Sequence, residues 1–222
     1  TITVLASGTG VTTAGSGTIT LTAAETTGTT SDVLVNQVVT STSGKIQINA
    51  ARDITNAAII SATGAGLIDL NATRNITQNA DITSAGGNIT ADATNGAITM
   101  ADGTTTGSGA GTIAYTAGTD VALSQLISSS TVGVTATTGA ITDSNTTIPE
   151  VANITGTTAT LSAATGIGSA DDIDTNITTL AATNTGTTGD IQITELAAGT
   201  DIDVNNISQT NAGGSGNILL TT

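Results

Sequence analysis

The sequence predicts an all-β chain folded as a parallel β-helix, a β-solenoid of roughly nine coils of about 24 residues. Three observations predict it: a repeated apolar-x-apolar-x-small unit, a composition led by Thr, Gly and branched aliphatic residues, and an abundance of residues that disfavour helix interiors.

The repeated unit is spelled ITVLA at 2–6, ITLTA at 19–23, IQINA at 46–50, IDLNA at 68–72 and ITADA at 89–93. It continues as IAYTA at 113–117, VGVTA at 132–136, ATLSA at 159–163, IQITE at 191–195 and ILLT at 218–221. Its alternation has period two, which sends Ile19, Leu21 and Ala23 to one face of a strand and Thr18, Thr20 and Thr22 to the other. Stacking like on like places Ile19, Ile46, Ile68, Ile89 and Ile113 in one interior ladder, and puts Tyr115 inward in the slot of Leu21 and Leu70. The third-position alanines, from Ala23 and Ala50 to Ala117 and Ala136, mark a corner where space is short.

A second unit follows most of these, as AARDI at 50–54, ATRNI at 72–76, AGTDV at 117–121, ATTGAI at 136–141, AATGI at 163–167 and AAGTDI at 197–202. The Asp, Asn or Gly before the branched residue is expected to bend the chain, since these types tolerate tight or left-handed backbone and bond their own main chain. A third short run closes many units, as AAII at 57–60, ADIT at 80–83, AITM at 97–100, SQLI at 124–127 and DVNNI at 203–207. Three strands and three turns therefore fill each coil, with strands of successive coils about 4.8 Å apart. An antiparallel sandwich also suits closely spaced turns. It does not require equivalent positions to recur as Ile-x-Leu-x-Ala. The whole of 1–222 reads as one segment, with irregular coils around 139–158, where Pro149 interrupts the pattern, and around 164–190.

Composition restricts the chemistry. The chain has 52 Thr, 17 Ser and 27 Gly, a single Tyr, Met and Pro, and no Cys, His, Phe or Trp. It therefore lacks a disulfide framework, a thiolate nucleophile and the commonest metal ligand and general base. Charged residues make up 9%, and 17 acids against 3 bases give a net charge of −14, which repels nucleic acid and anionic membranes. No apolar stretch approaches the roughly 20 residues of a membrane span. A mean hydropathy of +0.24, with Ile, Val and Leu at regular intervals, argues against a disordered linker.

The units GKIQINAARDI (44–54) and GLIDLNATRNITQNADITSAGGNIT (66–90) resemble coils of filamentous-haemagglutinin-like bacterial exoproteins. The stretch 160–194 is similar to an insert-bearing coil of very large surface proteins of that kind. The resemblance implies a right-handed β-helical shaft on an extracellular or cell-surface protein that acts in adhesion, aggregation or biofilm building. Its expected partners are copies of itself or adjoining coils of a longer chain, together with cell-surface glycans or matrix. The pattern runs from ITVLA to ILLTT without a polar capping segment, as expected of a piece of a longer shaft or of units that stack end to end into a filament, sheath or surface layer.

Acids are the one chemical group present in number. Asp171, Asp172 and Asp174 are the densest and form the candidate calcium site, since calcium takes several carboxylate and carbonyl oxygens at close range; Asp201 and Asp203, with Asn205 and Asn206, come next. Neither an EF-hand spacing nor a β-roll nonapeptide accompanies them, and GGSGN at 213–217 is too short to count. The competing reading is that these acids cap turns and keep the rod soluble. Seven asparagines, among them Asn71, Asn75, Asn88 and Asn153, sit in N-x-S/T sequons, a number that Ser and Thr abundance alone produces. A β-helical polysaccharide-active enzyme is the functional rival. Its bases could only be Lys45, Arg52 and Arg74, the last two at equivalent slots of adjacent coils, where they would form a small ladder of like charge. The expected function is non-enzymatic and structural, with no catalytic residue and no required cofactor.

Overall fold

A computed structural model describes residues 1–25, 31–146, 148–197, 201–210 and 216–222. Parts of AAGTDI and GGSGN lie outside the described residues. The chain is a β-solenoid in which every strand pairing is parallel, with no helix among the described residues. Three sheets of seven, ten and nine strands wind around one apolar interior in about eight turns of about 22 residues. That is slightly fewer and shorter coils than the repeat count suggests.

In the nine-stranded sheet, Ile19 pairs with Ile46, Ile46 with Ile68, Ile68 with Ile89 and Ile89 with Ile113, as the alternation predicts. Two residues on, Leu21, Ile48, Leu70, Ala91, Tyr115 and Val134 form a second interior column, and Ala23 through Ala136 a third. Each strand buries alternate residues, for example Ile46, Ile48 and Ala50 of Ile46–Ala50. The seven-stranded sheet carries Val33, Ile54, Ile76, Ile98, Val121 and Ile141 inward, and the ten-stranded sheet carries Val39, Ile60, Ile82, Thr106, Leu126 and Ile154. At about 25 cal/mol per Å² of apolar surface removed from water, these three walls of aliphatic columns are the main source of stability.

Five strands fall in sheets other than those their spelling suggests, Asp203–Gln209 with its DVNNI among them. Ile2–Val4 pairs with Val33–Val35 in the seven-stranded sheet, not with the Ile19 ladder. Ile98–Met100 also belongs to the seven-stranded sheet, while Ile191–Glu195 and Ile218–Thr221 belong to the ten-stranded one. The last places of the Ile19 ladder are taken by Thr179–Asn184 and Asp203–Gln209. All three sheets bury alternate residues, so the apolar-x-apolar spelling alone does not distinguish them.

Tight stacking is visible at one glycine column. A Cβ on Gly44 would lie 1.9 Å from the carbonyl oxygen of Gly17, one on Gly66 2.4 Å from that of Gly44, and one on Gly87 2.3 Å from that of Gly66. Each of these glycines stands two residues ahead of the ladder isoleucine of its coil, where successive backbones approach too closely for any side chain.

The slot before each strand works differently from the expected local turn. Among the described residues no residue other than glycine has a positive φ. The Asp or Asn side chain instead reaches into the next coil and accepts from its backbone: Asp32 from the Asp53 N–H at 3.3 Å, Asp53 from Asn75 at 3.0 Å, Asn75 from Ala97 at 3.0 Å and Asp120 from Ala140 at 2.8 Å. Asp81, Asn88, Asn153 and Asp190 do the same for Thr105, Thr112, Asp174 and Asn217. Amides left unpaired at the corners are thereby satisfied from one coil below.

Near the end of the rod two sheets merge. Ile141 pairs with Ile167 and Ile167 with Ile191, while Ile173 pairs with Ile193. One strand, Ile191–Glu195, thus continues both walls, and the segment 168–172 of the coil before it becomes an excursion beyond that straight strand. A second excursion, described at 144–146 and 148–153, separates Ile141–Asp143 from Ile154–Thr155 one coil earlier at the same corner. Both excursions fall within 139–158 and 164–190.

Candidate functional site

Three groups of polar side chains could do chemistry or bind: the cations with their acids, the buried polar cluster around Tyr115, and the acids at the two excursions. The cations come first, because they were the only bases a catalyst could use. Arg52 Nε and Nη2 donate to Asp32 Oδ1 and Oδ2 at 2.7 and 2.6 Å, and Arg74 makes the same two-pronged contact with Asp53. Arg52 also lies 3.5 Å from Asp53, and Lys45 Nζ lies 3.1 Å from Asp69. The stacked arginines are therefore not a ladder of like charge. Asp53 sits between them, and the sequence runs acid, base, acid, base along the axis. Hydrogen bonding to the guanidinium groups holds the Asp32 and Asp53 carboxyls below the usual carboxylate range. Groups neutralised in this way are poor candidates for proton transfer.

Tyr115 is buried within the rod, as its place in the Leu70 column predicts. Its hydroxyl donates to Gln78 Oε1 at 2.7 Å and stands 2.6 Å from Thr106 Oγ1, which itself donates to Gln78 Oε1 at 3.1 Å. Burial pushes its phenol well above the ordinary tyrosine range. The cluster satisfies its own polar atoms inside the core and offers nothing to a ligand.

The acids of the candidate calcium site are placed as follows. Asp171 is exposed in the 168–172 excursion, and the carboxylate of the half-buried Asp172 accepts from Thr194 Oγ1. Asp174 lies within the strand Ile173–Asn176 and is 2% exposed. Its backbone N–H donates to Asn153 Oδ1 at 2.9 Å, but its Oδ1 is buried without a hydrogen-bond partner. Asn153 is a node of this corner, its Nδ2 donating to the carbonyls of Leu123 and Ser124 and, at 2.7 Å, to Asp143 Oδ1. Burial, reinforced by the charges of Glu150, Asp172, Asp143 and Asp171, raises the Asp174 carboxyl to about 7. Asp143 is raised as well, first by burial and then by Asp171 and Glu150. Sequence reading singled out Asp171, Asp172 and Asp174 but missed Asp143 and Glu150, which the 144–153 excursion brings alongside. Asp203 is exposed in Asp203–Gln209, away from this corner in the nine-stranded sheet.

The sequons are mostly committed to structure. Asn75 and Asn88 cap the next coil and Asn153 is fully buried, while Asn176 and Asn206 are exposed. A shallow groove crosses four coils beside the outward row Thr22, Asn49, Asn71 and Asp92, floored by Ala50 and Ala72. Asn71 Nδ2 donates to Asn49 Oδ1 at 3.1 Å and Asn49 Nδ2 to the Thr22 hydroxyl at 3.2 Å, so this stretch of the groove wall bonds to itself from coil to coil. No helix among the described residues is long and apolar enough to cross a membrane. Comparison of the chain with protein-family models, curated proteins and solved structures found no match.

Proposed function

We propose that this chain is a non-enzymatic structural element, a rigid stalk or fibre segment of a bacterial extracellular adhesin or matrix protein. One observation carries the reading: the interior ladder continues from coil to coil, while the arginines, the tyrosine and most capping acids are taken up in contacts between coils. Side chains used in this way hold neighbouring coils together and leave little with which to turn over a substrate. Aliphatic columns and parallel backbone ladders along one axis resist bending, which suits a spacer between an anchoring point and a binding element.

A second reading, end-to-end self-assembly, has its own observation. Among the described residues, strands at both limits of the sheets, Ile19–Ala23 at one and Ile218–Thr221 at the other, have an edge that pairs with no other strand, and Leu219 is 54% exposed. Electron microscopy of the 222-residue chain at micromolar concentration separates the two. Separate rods of about 40 Å, from eight turns at the spacing between strands, support the stalk segment. Long uniform fibres with that repeat support the self-assembling subunit. Compact particles without an axis would remove both.

A further inference from the structure

The corner bearing the two excursions holds a charge imbalance that the rest of the rod avoids. Elsewhere, acids stacked near one another receive a base: Asp32 and Asp53 have Arg52 and Arg74, and Asp69 has Lys45. Past Arg74 the sequence contains no Lys or Arg at all. The charged groups acting on Asp174 are Asp143 at the end of Ile141–Asp143, Glu150 in the first excursion, and Asp171 and Asp172 in the second, and all are acidic. In their midst lies a carboxylate oxygen, Asp174 Oδ1, that is buried and has no hydrogen-bond donor. An orphaned buried oxygen of this kind is costly, and every residue type around it worsens the cost if it carries charge.

The reason it is orphaned lies in the fold. Asp174 follows Asn153 in the column of capping residues, and Asn153 duly accepts from the Asp174 N–H. Asp174 should then accept from the coil after it. There, however, the corner has been replaced by the straight strand Ile191–Glu195, with Thr194 opposite Asp174. The cap lacks a recipient, and its oxygen is left without a donor.

We propose that this corner is a binding site for a divalent cation of the calcium type, with Asp174 as the buried ligand, joined by Asp143 from the end of its strand and by Glu150 and Asp171 from the two excursions. Calcium fits the donors, which are all hard oxygens on segments of irregular shape, and it tolerates the variable coordination such segments supply. Among the described residues no three carboxylates already converge on a metal-holding point. Mutual repulsion among the acids opposes such convergence, and a bound cation would offset it. The consequence for a shaft is a clasp at its irregular coil, fastened where calcium is abundant.

The test is thermal melting by circular dichroism and isothermal titration calorimetry on the 222-residue chain after chelator treatment, at pH 8, with and without about 1 mM CaCl2, the range of weak extracellular sites. The expected result is saturable heat of binding and a Tm several degrees higher with calcium. Asp174→Asn is expected to abolish the calcium response while raising the melting point of the metal-free chain, because it removes a buried charge. Glu150→Gln, at an exposed position that leaves folding intact, is expected to weaken calcium affinity severalfold. No calcium response in the parent chain overturns the proposal, as does a response that survives Asp174→Asn. If acidification to pH 6 stabilises the metal-free chain and calcium does nothing at either pH, the neutralising partner is a proton and the cation site is rejected.

Discussion

The stack around Asp32, Arg52, Asp53 and Arg74 and the corner around Asp143 and Asp174 both gather acidic side chains between coils, with opposite results. In the stack, an acidic side chain precedes a strand and lies over its equivalent in the next coil; at the corner, Asp143 ends one strand and Asp174 lies in a strand of another sheet, the two joined through Asn153. In the first, bases alternate with acids, each carboxylate is bonded to a guanidinium, and both carboxyls are held below their ordinary range. In the second, acid meets acid, and the carboxyls are pushed up. A solenoid turns residues some twenty positions apart into direct neighbours, so the composition of a column, not of a local stretch, sets its electrostatics.

The two regions can be set against the interior they share. Replacing Ile68 or Ile89 by Asp puts an unpaired carboxylate where exposure is zero and should be the most damaging change. A loss of more than about 4 kcal/mol, with β-signal and cooperative melting both collapsing in circular dichroism, is the expected outcome; a wild-type melt would show that the interior ladder is misassigned. Gly66→Ala or Gly87→Ala should come next, costing about 1–3 kcal/mol, since each new Cβ meets a carbonyl oxygen of the coil before. Chemical denaturation measures it, and an unchanged midpoint would mean that the coils separate there at no cost.

Acidity separates the two regions directly. Asp32 and Asp53 have carboxyls lowered in the folded state, so their contribution is full above the ordinary value of 3.8 and is lost as pH falls through their folded values. Asp174 is raised to about 7, so the folded state binds the extra proton and stability declines as pH climbs from near 3.8 to about 7, levelling off above. Metal-free chain should therefore melt highest near the lower of those limits, and Asp174→Asn should flatten the neutral side of the profile while leaving the acid side unchanged. Equal flattening of both sides would show that other carboxyls govern the profile. The smallest effect belongs to Arg52→Ala and Arg74→Ala: both side chains are substantially exposed, and ion pairs of that kind contribute little. A Tm shift of a few degrees at most, diminishing in high salt, is expected; a collapse of the rod would assign the charged stack a structural weight that surface pairs seldom carry.

The interior of the rod was legible because alternation of period two is a direct imprint of one buried face. Ile46, Ile68 and Ile89 could be aligned by eye, and so could Tyr115 against Leu70. Assigning each strand to its sheet was harder. Gly-Asp-Ile at 189–191 and Gly-Asn-Ile at 216–218 are spelled like the Gly-Lys-Ile that opens Ile46–Ala50, yet they open strands in another sheet. Backbone conformation differs between them, with Gly189 at φ +91°, and conformation is not spelled in three letters. The charge pairing left a readable trace, since Asp32 and Arg52, and Asp53 and Arg74, stand one coil apart. The candidate site was half legible. A run of Asp residues announces itself, whereas the approach of Asp143 and Glu150 depends on how the 144–153 excursion folds back, and no repeat records that.

The capping side chains all reach the same way along the rod, from a coil to the one that follows it in the chain. The rod consequently has a polarity at the level of unpaired groups: a coil exposes ready acceptors on its later side and amides in need of them on its earlier side. A chain emerging from its amino end would always find the template for its next coil complete, while growth in the reverse direction would require each coil to wait for acceptors not yet in place. Folding that propagates by adding coils is thereby given a preferred sense, written by single Asp and Asn residues at the corners.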